Sequence, residues 1–237
     1  MREYHKIETL YERDEKTKKL IMGKFRNPAV EYLKDNIWQF TEKVDGTNIR
    51  VYWDGHKVEF AGRTDKAQIP SHLMERLEEL FGGEVNEEMF EQKFGANEVT
   101  LFVEGYGQKI QTNEYIDGVD FILFDVLIGE NYQSRDTVEE IANYFNIDVV
   151  PIVMEGTLLQ GVDWVLNNRK SSVAKNGAEI EGFVARPKVE LNTRDKNRVI
   201  VKIKYRDFQE IDWSEALKRK PEVLKQLNKY KESKNDD

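Results

Sequence analysis

The chain has 237 residues, of which 39% are hydrophobic and 34% charged, and its formal net charge is −8 at pH 7. This apolar content suffices for the core of one large domain, whereas the acidic balance excludes a protein that coats nucleic acid through bulk positive charge. The absence of cysteine excludes disulfides, thiol nucleophiles and cysteine-ligated zinc, and three histidines argue against a histidine-rich metal site.

The longest apolar run, Val119–Ile128, is too short to cross a bilayer and contains Asp120 and Asp125. The N-terminus has no apolar signal core. We therefore expect no membrane partner and a soluble, cytoplasmic protein, acting in the host cytoplasm if a phage encodes it.

The first half of the chain carries strand and helix patterns. Alternating apolar residues predict three strands, at 38–41, 49–53 and 57–60. Asp54-Gly55 between the last two is a hairpin signal, because both residues tolerate positive φ. Lys43 is therefore expected at the end of a strand, beside a hairpin. Apolar residues at helical spacing predict one helix over 73–81 and another that opens at Asn86.

The second half predicts four more strands, at 99–104, 119–126, 180–185 and 198–205. The first two end in carboxylates, Glu104 and Asp125, and the apolar density of 119–126 predicts burial on both faces of that strand. Alternation in the last strand places Lys202 and Lys204 on one face.

Two further helices and a tail complete the predicted elements. Asp136, with Glu139 three residues later, has the pattern of a capping box and predicts a helix through Phe145. Trp164 and Val165 lie in another predicted helix. We expect one domain over 1–211 and a short charged helical tail over 212–237. The basic residues form clusters that fit either solvated faces or local phosphate contacts, at 16–19, 194–206 and 218–220.

Polar side chains recur where the predicted strands end: Lys43, Arg63, Glu104, Asp125, Glu181, Lys202 and Lys204. If the strands pack into one antiparallel assembly, these side chains converge on one cleft. A nucleophilic lysine in that cleft would need its pKa lowered by burial or by neighbouring positive charge, which Lys202, Lys204 and a divalent cation would supply. The same charges would stabilise phosphoryl-type transfer. Glu181, Glu104 and Asp45 are hard oxygen donors suited to Mg²⁺.

The segment Lys43-Val44-Asp45-Gly46-Thr47-Asn48 resembles the first motif of the covalent nucleotidyltransferases, which comprise RNA ligases, DNA ligases and mRNA capping enzymes. Its four-residue core, Lys-x-Asp-Gly, is alone a weak signal, because such a pattern arises by chance in roughly one chain in ten to thirty of this size. Five later segments resemble the arginine motif and motifs III, IIIa, IV and V, in that order: 61–64, 102–107, 121–126, 181–184 and 201–204. Together they are far more specific, and with Glu42 they extend over most of the chain.

Within that superfamily the sequence is most similar to the T4 RNA ligase 2-like group, through the segment 104–111 and the Phe-x-x-Phe-Asp form of motif IIIa. The resemblance implies an α+β nucleotidyltransferase (ATP-grasp-like ligase) fold, built on antiparallel sheets with flanking helices and without a C-terminal OB barrel. It implies an ATP-dependent RNA ligase that uses Mg²⁺ or Mn²⁺, joins RNA 3′-OH and 5′-phosphate ends, and is a monomer.

The resemblance also assigns roles residue by residue. It makes Lys43 the nucleophile that becomes linked to AMP. It places Glu42 at the adenine edge, Phe124 on the adenine ring and Glu104 at the ribose. It places Arg63 at phosphate or ribose, and Asn48 at the sugar or in the sealing steps. It places Lys202 and Lys204 at the α-phosphate, and Asp125 in the ATP site without a specified contact. Glu181, Asp45 and Glu104 are its implied metal ligands, and Lys43, Arg63, Glu181, Lys202 and Lys204 its catalytic set. The structural alternatives are a core role for Phe124, surface charges at the strand ends and a solvated face for the paired lysines.

One departure from the group is the C-terminus. Only 33 residues follow Lys204, whereas members typically carry a further domain that helps engage nicked RNA. We therefore expect weaker nick sealing, unless the basic residues 218–220 substitute, and the sequence fits a truncated or a naturally minimal ligase. The alternatives that stay open are a DNA ligase, a capping-type nucleotidyltransferase and a non-catalytic nucleotide- or RNA-binding protein.

Overall fold

The computed structural model describes residues 1–111, 115–195 and 197–209, which fold as two compact units. The first unit comprises Met1–His5, Val44–Val150 and Val173–Ala178, and the second comprises Lys6–Lys43, Pro151–Ser172 and the chain from Glu179. The predicted helical tail at 212–237 lies outside the described residues, so the predicted boundary at 211 stays a prediction.

The described strands and helices are, in chain order, β1 (Glu8–Thr9), β2 (Tyr11–Arg13), β3 (Leu20–Phe25), α1 (Pro28–Tyr32), β4 (Trp38–Lys43), β5 (Thr47–Trp53), β6 (Val58–Gly62), α2 (Ser71–Phe81), α3 (Gly83–Phe94), β7 (Val99–Gly107), β8 (Val119–Ile128), β9 (Asn131–Tyr132), α4 (Arg135–Tyr144), β10 (Asp148–Val149), β11 (Ile152–Gly156), α5 (Leu158–Asn167), β12 (Gly182–Pro187), β13 (Val201–Lys204) and α6 (Tyr205–Gln209). The short elements β1 to β3 and α1 were not predicted.

The first unit is built on a six-stranded sheet in the order β10-β8-β7-β5-β6, with β9 paired to β8. The β5–β6 hairpin forms as predicted, but its turn runs from Asp54 to Lys57, where the N–H of Asp54 donates to the carbonyl of Lys57. Of the two predicted turn residues only Gly55 has a positive φ, +99°, which side-chain-bearing residues rarely adopt. Helices α2, α3 and α4 contribute Leu77, Phe90 and Ile141 to the core on this sheet. Strand β8 is buried on both faces, as its apolar density predicted.

The second unit is built on a five-stranded sheet in the order β1-β13-β12-β4-β11, together with the β2–β3 pair. Trp38 and Phe40 of β4 and Phe183 of β12 form its core with Val165 of α5. Helix α5 begins with a complete capping box, in which Thr157 and Gln160 each bind the other's backbone.

The fold class is α+β with antiparallel sheets and flanking helices, as predicted. Within the described ranges the strands form no closed barrel, and the parallel pairs are short, β1 with β13 and β8 with β10. No helix in these ranges is long and apolar enough to span a membrane.

Three local predictions were wrong. The capping box predicted at Asp136 is absent: α4 begins at Arg135 after Ser134, whose side chain makes no capping bond, and Glu139 instead pairs with Arg135 at 2.6 Å. Helix α3 begins at Gly83, three residues before the predicted start. Glu104 and Asp125 lie inside β7 and β8 rather than at their ends, because strand pairing continues beyond both residues.

Candidate active site

Lys43 is the last residue of β4, which lies between β11 and β12 in the sheet of the second unit. Alternation along β4 buries Phe40 and Glu42 and leaves Lys43 on the other face, with its side chain 24% exposed. The antiparallel register places Lys43 opposite Gly182, the residue that follows Glu181. The predicted position of Lys43 at a strand end is confirmed.

Glu181 binds two lysines. The Nζ atom of Lys43 lies 2.6 Å from Oε2 of Glu181, and the ammonium of Lys204 contacts Oε1. Burial by itself would raise the pKa of this carboxyl, which is only 12% exposed, but the charges and hydrogen bonds of the two lysines outweigh burial and lower the pKa. At neutral pH Glu181 is therefore an ionised carboxylate that bridges two ammonium groups.

Lys202 lies on the same face of β13 as Lys204, while Val201 and Ile203 are buried on the other face, which confirms the predicted alternation. Among the described residues, no carboxylate forms an ion pair with Lys202. Burial lowers the pKa of Lys202, and the nearby charges of Lys204 and Lys43 lower it further. Two lysines thus share one carboxylate and a third lies near them, an arrangement that favours binding of an anion.

Glu42 is buried next to Lys43 in the sequence and accepts three hydrogen bonds. Its Oε2 receives the backbone N–H of Ser172 at 2.8 Å and the Ser172 hydroxyl at 2.5 Å, and its Oε1 receives the Ser171 hydroxyl. These bonds tie residues 171–172 to the end of β4. The described contacts of the Glu42 carboxylate are therefore with protein, and its expected place at the adenine edge stays a prediction.

Gly46 explains why the first motif needs a glycine. A Cβ atom at this position would lie 2.3 Å from the carbonyl oxygen of Gly105 and 2.8 Å from Cγ of Glu104. The close approach belongs to the β5–β7 pairing, which also sets Asn48 opposite Glu104. The Oδ1 atom of Asn48 is buried and has no hydrogen-bond partner among the described residues, so it can accept a ligand hydroxyl.

Phe124 and Asp125 lie on β8 of the first unit. Asp125 is fully buried and accepts a hydrogen bond from the Tyr4 hydroxyl at 2.7 Å. Phe124 is only partly buried and meets the Tyr4 ring edge-on, with 5.1 Å between ring centroids. Phe102 lies 4.8 Å from the same tyrosine ring. Tyr4 therefore supports both functional candidates, and Phe124 is not a fully buried core residue.

Arg63 follows β6 directly and is exposed. It makes no hydrogen bond or ion pair within residues 1–111, 115–195 and 197–209. The preceding carbonyl, that of Gly62, accepts a hydrogen bond from Nε of Arg50 at 2.9 Å. An exposed guanidinium without a protein partner can bind phosphate or a sugar hydroxyl.

The expected metal ligands belong to different units. Asp45 and Glu104 lie in the first unit and Glu181 in the second. Within the part of the chain that the structure describes, no group of three acidic or histidine side chains could hold a metal ion. Mg²⁺ usually takes only one or two protein carboxylates and completes its shell with water and phosphate oxygens. The predicted metal set therefore stays a prediction.

The sequence reasoning missed four residues that support the site: Tyr4, Arg50, Ser171 and Ser172. Arg50 left a signal, because it interrupts the apolar run of β5 with a charge. Tyr4, Ser171 and Ser172 gave no signal in the sequence, since a tyrosine near the N-terminus and serines between predicted elements are ordinarily expected at the surface.

The RNA ligase family profile matches residues 36–204. The fold is similar to solved structures of an RNA ligase from Naegleria gruberi. A variant of that enzyme with ATP and Mn gives a TM-score of 0.60 at 19% identity, covering 86% of this chain and 57% of that one. An apo variant gives 0.61 at 18%, with 87% and 56% covered. The form with pyrophosphate gives 0.57 at 21%, with 77% and 53% covered.

This chain therefore spans a little over half the length of those ligases, and identities this low show the shared fold alone. No curated protein matches the sequence. The likeness to the T4 RNA ligase 2-like group in particular stays a prediction. Since the family profile covers well over half of the sequence, including Lys43 and the paired lysines of β13, the chain belongs to the RNA ligase family.

Proposed function

We propose that this chain is an ATP-dependent RNA ligase that joins 3′-OH and 5′-phosphate ends through AMP covalently attached to Lys43. The observation that carries the proposal is the shared carboxylate: Lys43 and Lys204 both contact Glu181, and Lys202 adds a third cation. The family match and the Naegleria gruberi ligase structures with ATP and Mn, with AMP and Mn, and with pyrophosphate support the same reaction.

In the first step, Nζ of Lys43 attacks the α-phosphorus of ATP. A nitrogen–phosphorus bond forms, the bond from the α-phosphorus to the bridging oxygen breaks, and pyrophosphate leaves. Nζ attacks as the free amine, so the ammonium of Lys43 first gives a proton to Oε2 of Glu181, its hydrogen-bonded acceptor 2.6 Å away, and the second proton, displaced as the nitrogen–phosphorus bond forms, passes to water. Lys202 and Lys204 would neutralise the α-phosphate as charge develops on its oxygens.

A divalent cation would supply further positive charge at the phosphates when it is bound. Glu181 fits that role because its carboxylate already collects positive charge, and Asp45 and Glu104 offer the same hard oxygen donors. No three described carboxylates could hold the ion alone, so water and phosphate oxygens would complete its shell.

The first unit would supply the nucleoside contacts. Phe124, which is partly buried, would stack on the adenine ring, and Glu104 would bind the ribose. The unpartnered Oδ1 of Asn48 would accept a sugar hydroxyl. Arg63 would contact phosphate or ribose. Asp125 would act behind Phe124, because it is fully buried and bound by Tyr4.

In the later steps, AMP passes from Lys43 to a 5′-phosphate end of RNA, and a 3′-hydroxyl then attacks that phosphate and releases AMP. The name of the family supports RNA as the substrate. We further propose that the protein acts as a monomer in the cytoplasm.

The experiment is covalent labelling. The protein, first freed of pre-bound AMP with pyrophosphate, is incubated with Mg²⁺ and α-labelled ATP or GTP, and acid-stable label on the protein is measured. We expect label from ATP in the wild type and none in Lys43→Ala. Lys188→Ala is the matched control, because Lys188 also pairs with a carboxylate of the second unit, Glu155, at 2.7 Å.

The outcomes separate the alternatives. Absence of label in the wild type contradicts any covalent mechanism and leaves a non-catalytic binding protein. Label from GTP alone indicates a capping-type enzyme. Sealing assays on all-RNA, all-DNA and mixed nicks, together with single strands, then test the substrate, and sealing of DNA alone would contradict the RNA assignment.

A further inference from the structure

Arg50 is a charged residue in the core of the first unit. Its side chain is 0% exposed, whereas arginine is almost never fully buried without a partner. It lies in the middle of β5, where Ile49 and Val51 point into the apolar core and Arg50 points to the opposite face. That face also carries Asn48, two residues earlier. Such a costly burial requires an explanation.

The guanidinium of Arg50 binds the last residue of β6 and the loop that follows it. Its Nε donates to the carbonyl oxygen of Gly62 at 2.9 Å, and its Nη2 donates to Oδ1 of Asp65 at 2.7 Å. A third bond, from Nη1, reaches the carbonyl oxygen of Met1 at 3.4 Å. The first two acceptors lie on either side of Arg63 in the sequence, one residue before it and two residues after it.

We call the two contacts of Arg50, with Gly62 and with Asp65, the bracket. The β5–β6 hairpin does not require it. Strand pairing already runs from Trp53 opposite Val58 to Ile49 opposite Gly62. The contact with Asp65 lies beyond the last pair, and it adds order to the segment that carries Arg63. A planar guanidinium suits this task, because its donors point in fixed directions and reach two acceptors at once.

Arg63 itself is exposed and makes no hydrogen bond or ion pair with another described residue. The backbone on which it sits therefore determines where its Cα–Cβ bond points and which region its guanidinium can reach. That backbone is further ordered by a turn in which the N–H of Ala67 donates to the carbonyl of Thr64 at 3.0 Å. Bracket and turn together fix the loop while leaving the Arg63 side chain available to a ligand.

We propose that Arg50 and Asp65 are positioning residues for Arg63, which they hold in the direction that meets the phosphate or ribose of the nucleotide. The positioning role extends the proposed function and rests on it. Neither Arg50 nor Asp65 would touch the nucleotide. Both act through the backbone at 62–65.

The test uses Asp65, because its side chain is 75% exposed and its removal opens no cavity, whereas removal of Arg50 would. Formation of the acid-stable AMP adduct is followed against ATP concentration in Asp65→Ala, Asp65→Asn, Arg63→Ala and the double variant Arg63→Ala/Asp65→Ala. Glu79→Ala is the matched control, because Glu79 is 68% exposed and pairs with Arg76 of the same unit at 2.8 Å.

We expect Asp65→Ala to lower kcat/KM for ATP about three- to tenfold, the equivalent of one hydrogen bond. Asp65→Asn keeps the acceptor oxygen and should recover the rate to within about twofold of the wild type. In the Arg63→Ala background, Asp65→Ala should cause no further loss. Glu79→Ala should leave the rate unchanged. Equal losses with and without Arg63, or equal losses in Asp65→Asn and Asp65→Ala, would overturn the proposal.

A second measurement does not depend on activity. Amide hydrogen exchange across residues 62–67 should become faster in Asp65→Ala and stay unchanged in Glu79→Ala. Unchanged exchange in Asp65→Ala shows that the bracket does not order the loop and overturns the proposal. Faster exchange in a protein whose wild type takes no label from ATP would keep the bracket and contradict the ligase function instead.

Discussion

The two units hold their functional side chains in different ways. In the second unit, Lys43, Glu181 and Lys204 hold one another, because the register of β4, β12 and β13 brings them together. In the first unit, Asp125 is held by Tyr4, and the backbone beside Arg63 is held by Arg50. The side chains of the second unit thus position one another, whereas those of the first unit depend on residues outside the motifs.

This difference teaches where a substitution should be damaging. A substitution of Lys43, Glu181 or Lys204 removes a side chain of the proposed reaction and also disturbs the charge balance among the three. A change in the supporting residues of the first unit should alter stability or nucleotide affinity while leaving the reacting groups in place. This distinction between reacting and supporting side chains can be tested by substitution, and the largest effect is expected at Glu181.

Glu181→Gln should lower the rate of Lys43 labelling by about 100-fold or more, because two ammonium groups lose the carboxylate that balances them. The measurement is single-turnover adduct formation at saturating ATP. Glu155→Gln, which alters an exposed carboxylate of the same unit, is the control and should label at the wild-type rate.

The same variant has a pH signature. The folded-state pKa of Glu181 lies below its ordinary value of 4.5, so the ionised carboxylate contributes stability that is present in full above that pH. This contribution is lost as the pH falls through the folded-state pKa. The difference in free energy of unfolding between wild type and Glu181→Gln should therefore shrink only below pH 4.5. A difference that is constant from neutral pH to pH 3 would contradict the shift.

Gly46→Ala should lower the free energy of unfolding by about 2–3 kcal/mol, because the new Cβ atom would overlap the carbonyl oxygen of Gly105. Urea denaturation measures the change. Gly177→Ala is the control, since a Cβ there meets nothing within 4 Å and only its positive φ opposes it, at a cost of about 1 kcal/mol. Equal costs at the two positions would show that Gly46 is not sterically constrained.

Tyr4→Phe should lower the free energy of unfolding by about 1.5–2 kcal/mol, because the buried carboxylate of Asp125 loses a donor. The ring contacts with Phe124 are retained, so labelling at saturating ATP should fall less than in Glu181→Gln. Tyr144→Phe removes a phenol that donates to a neutral carbonyl, that of Met89, at 3.1 Å. It should cost about 1 kcal/mol or less. A larger cost at Tyr144 would contradict the importance of the charged acceptor.

Ser172→Ala should have the smallest effect, about 1 kcal/mol in the free energy of unfolding, because Glu42 keeps the Ser172 N–H and the Ser171 hydroxyl as donors. Thermal denaturation measures it. Ser134→Ala, at an exposed serine, should change little. If Ser172→Ala abolished labelling while the protein stayed folded, Ser172 would take part in the reaction itself rather than only hold Glu42 in place.

The features that could be predicted from the sequence are those that local pattern determines. Asp54-Gly55 specifies its own turn, and alternation over four residues is enough to place Lys202 and Lys204 on one face. The same local reasoning was wrong at Asp136, because an acidic pair three residues apart occurs inside a helix as readily as at its start. The pattern cannot distinguish the two positions.

The remaining features depend on pairs that are distant in the chain. Tyr4 and Asp125 are 121 residues apart, and Ser171 and Glu42 are 129 apart. No local pattern links such residues, since Tyr4 and Ser171 lie outside the strands and meet their partners only in the folded chain. The interior position of Glu104 also depends on distant segments, because β5 and β8 continue to pair with β7 beyond the predicted strand end at Glu104.

The division of the chain into units has a consequence for how the protein can be handled. Each unit is assembled from three separate segments, and the backbone passes between them five times, once directly after Lys43. The six residues of the first motif, 43–48, are thus divided between the units, Lys43 in the second and the other five in the first. No continuous stretch of the gene encodes either unit, so neither can be expressed alone by simple truncation. Assembly must wait until distant segments have been synthesised, which favours slow folding.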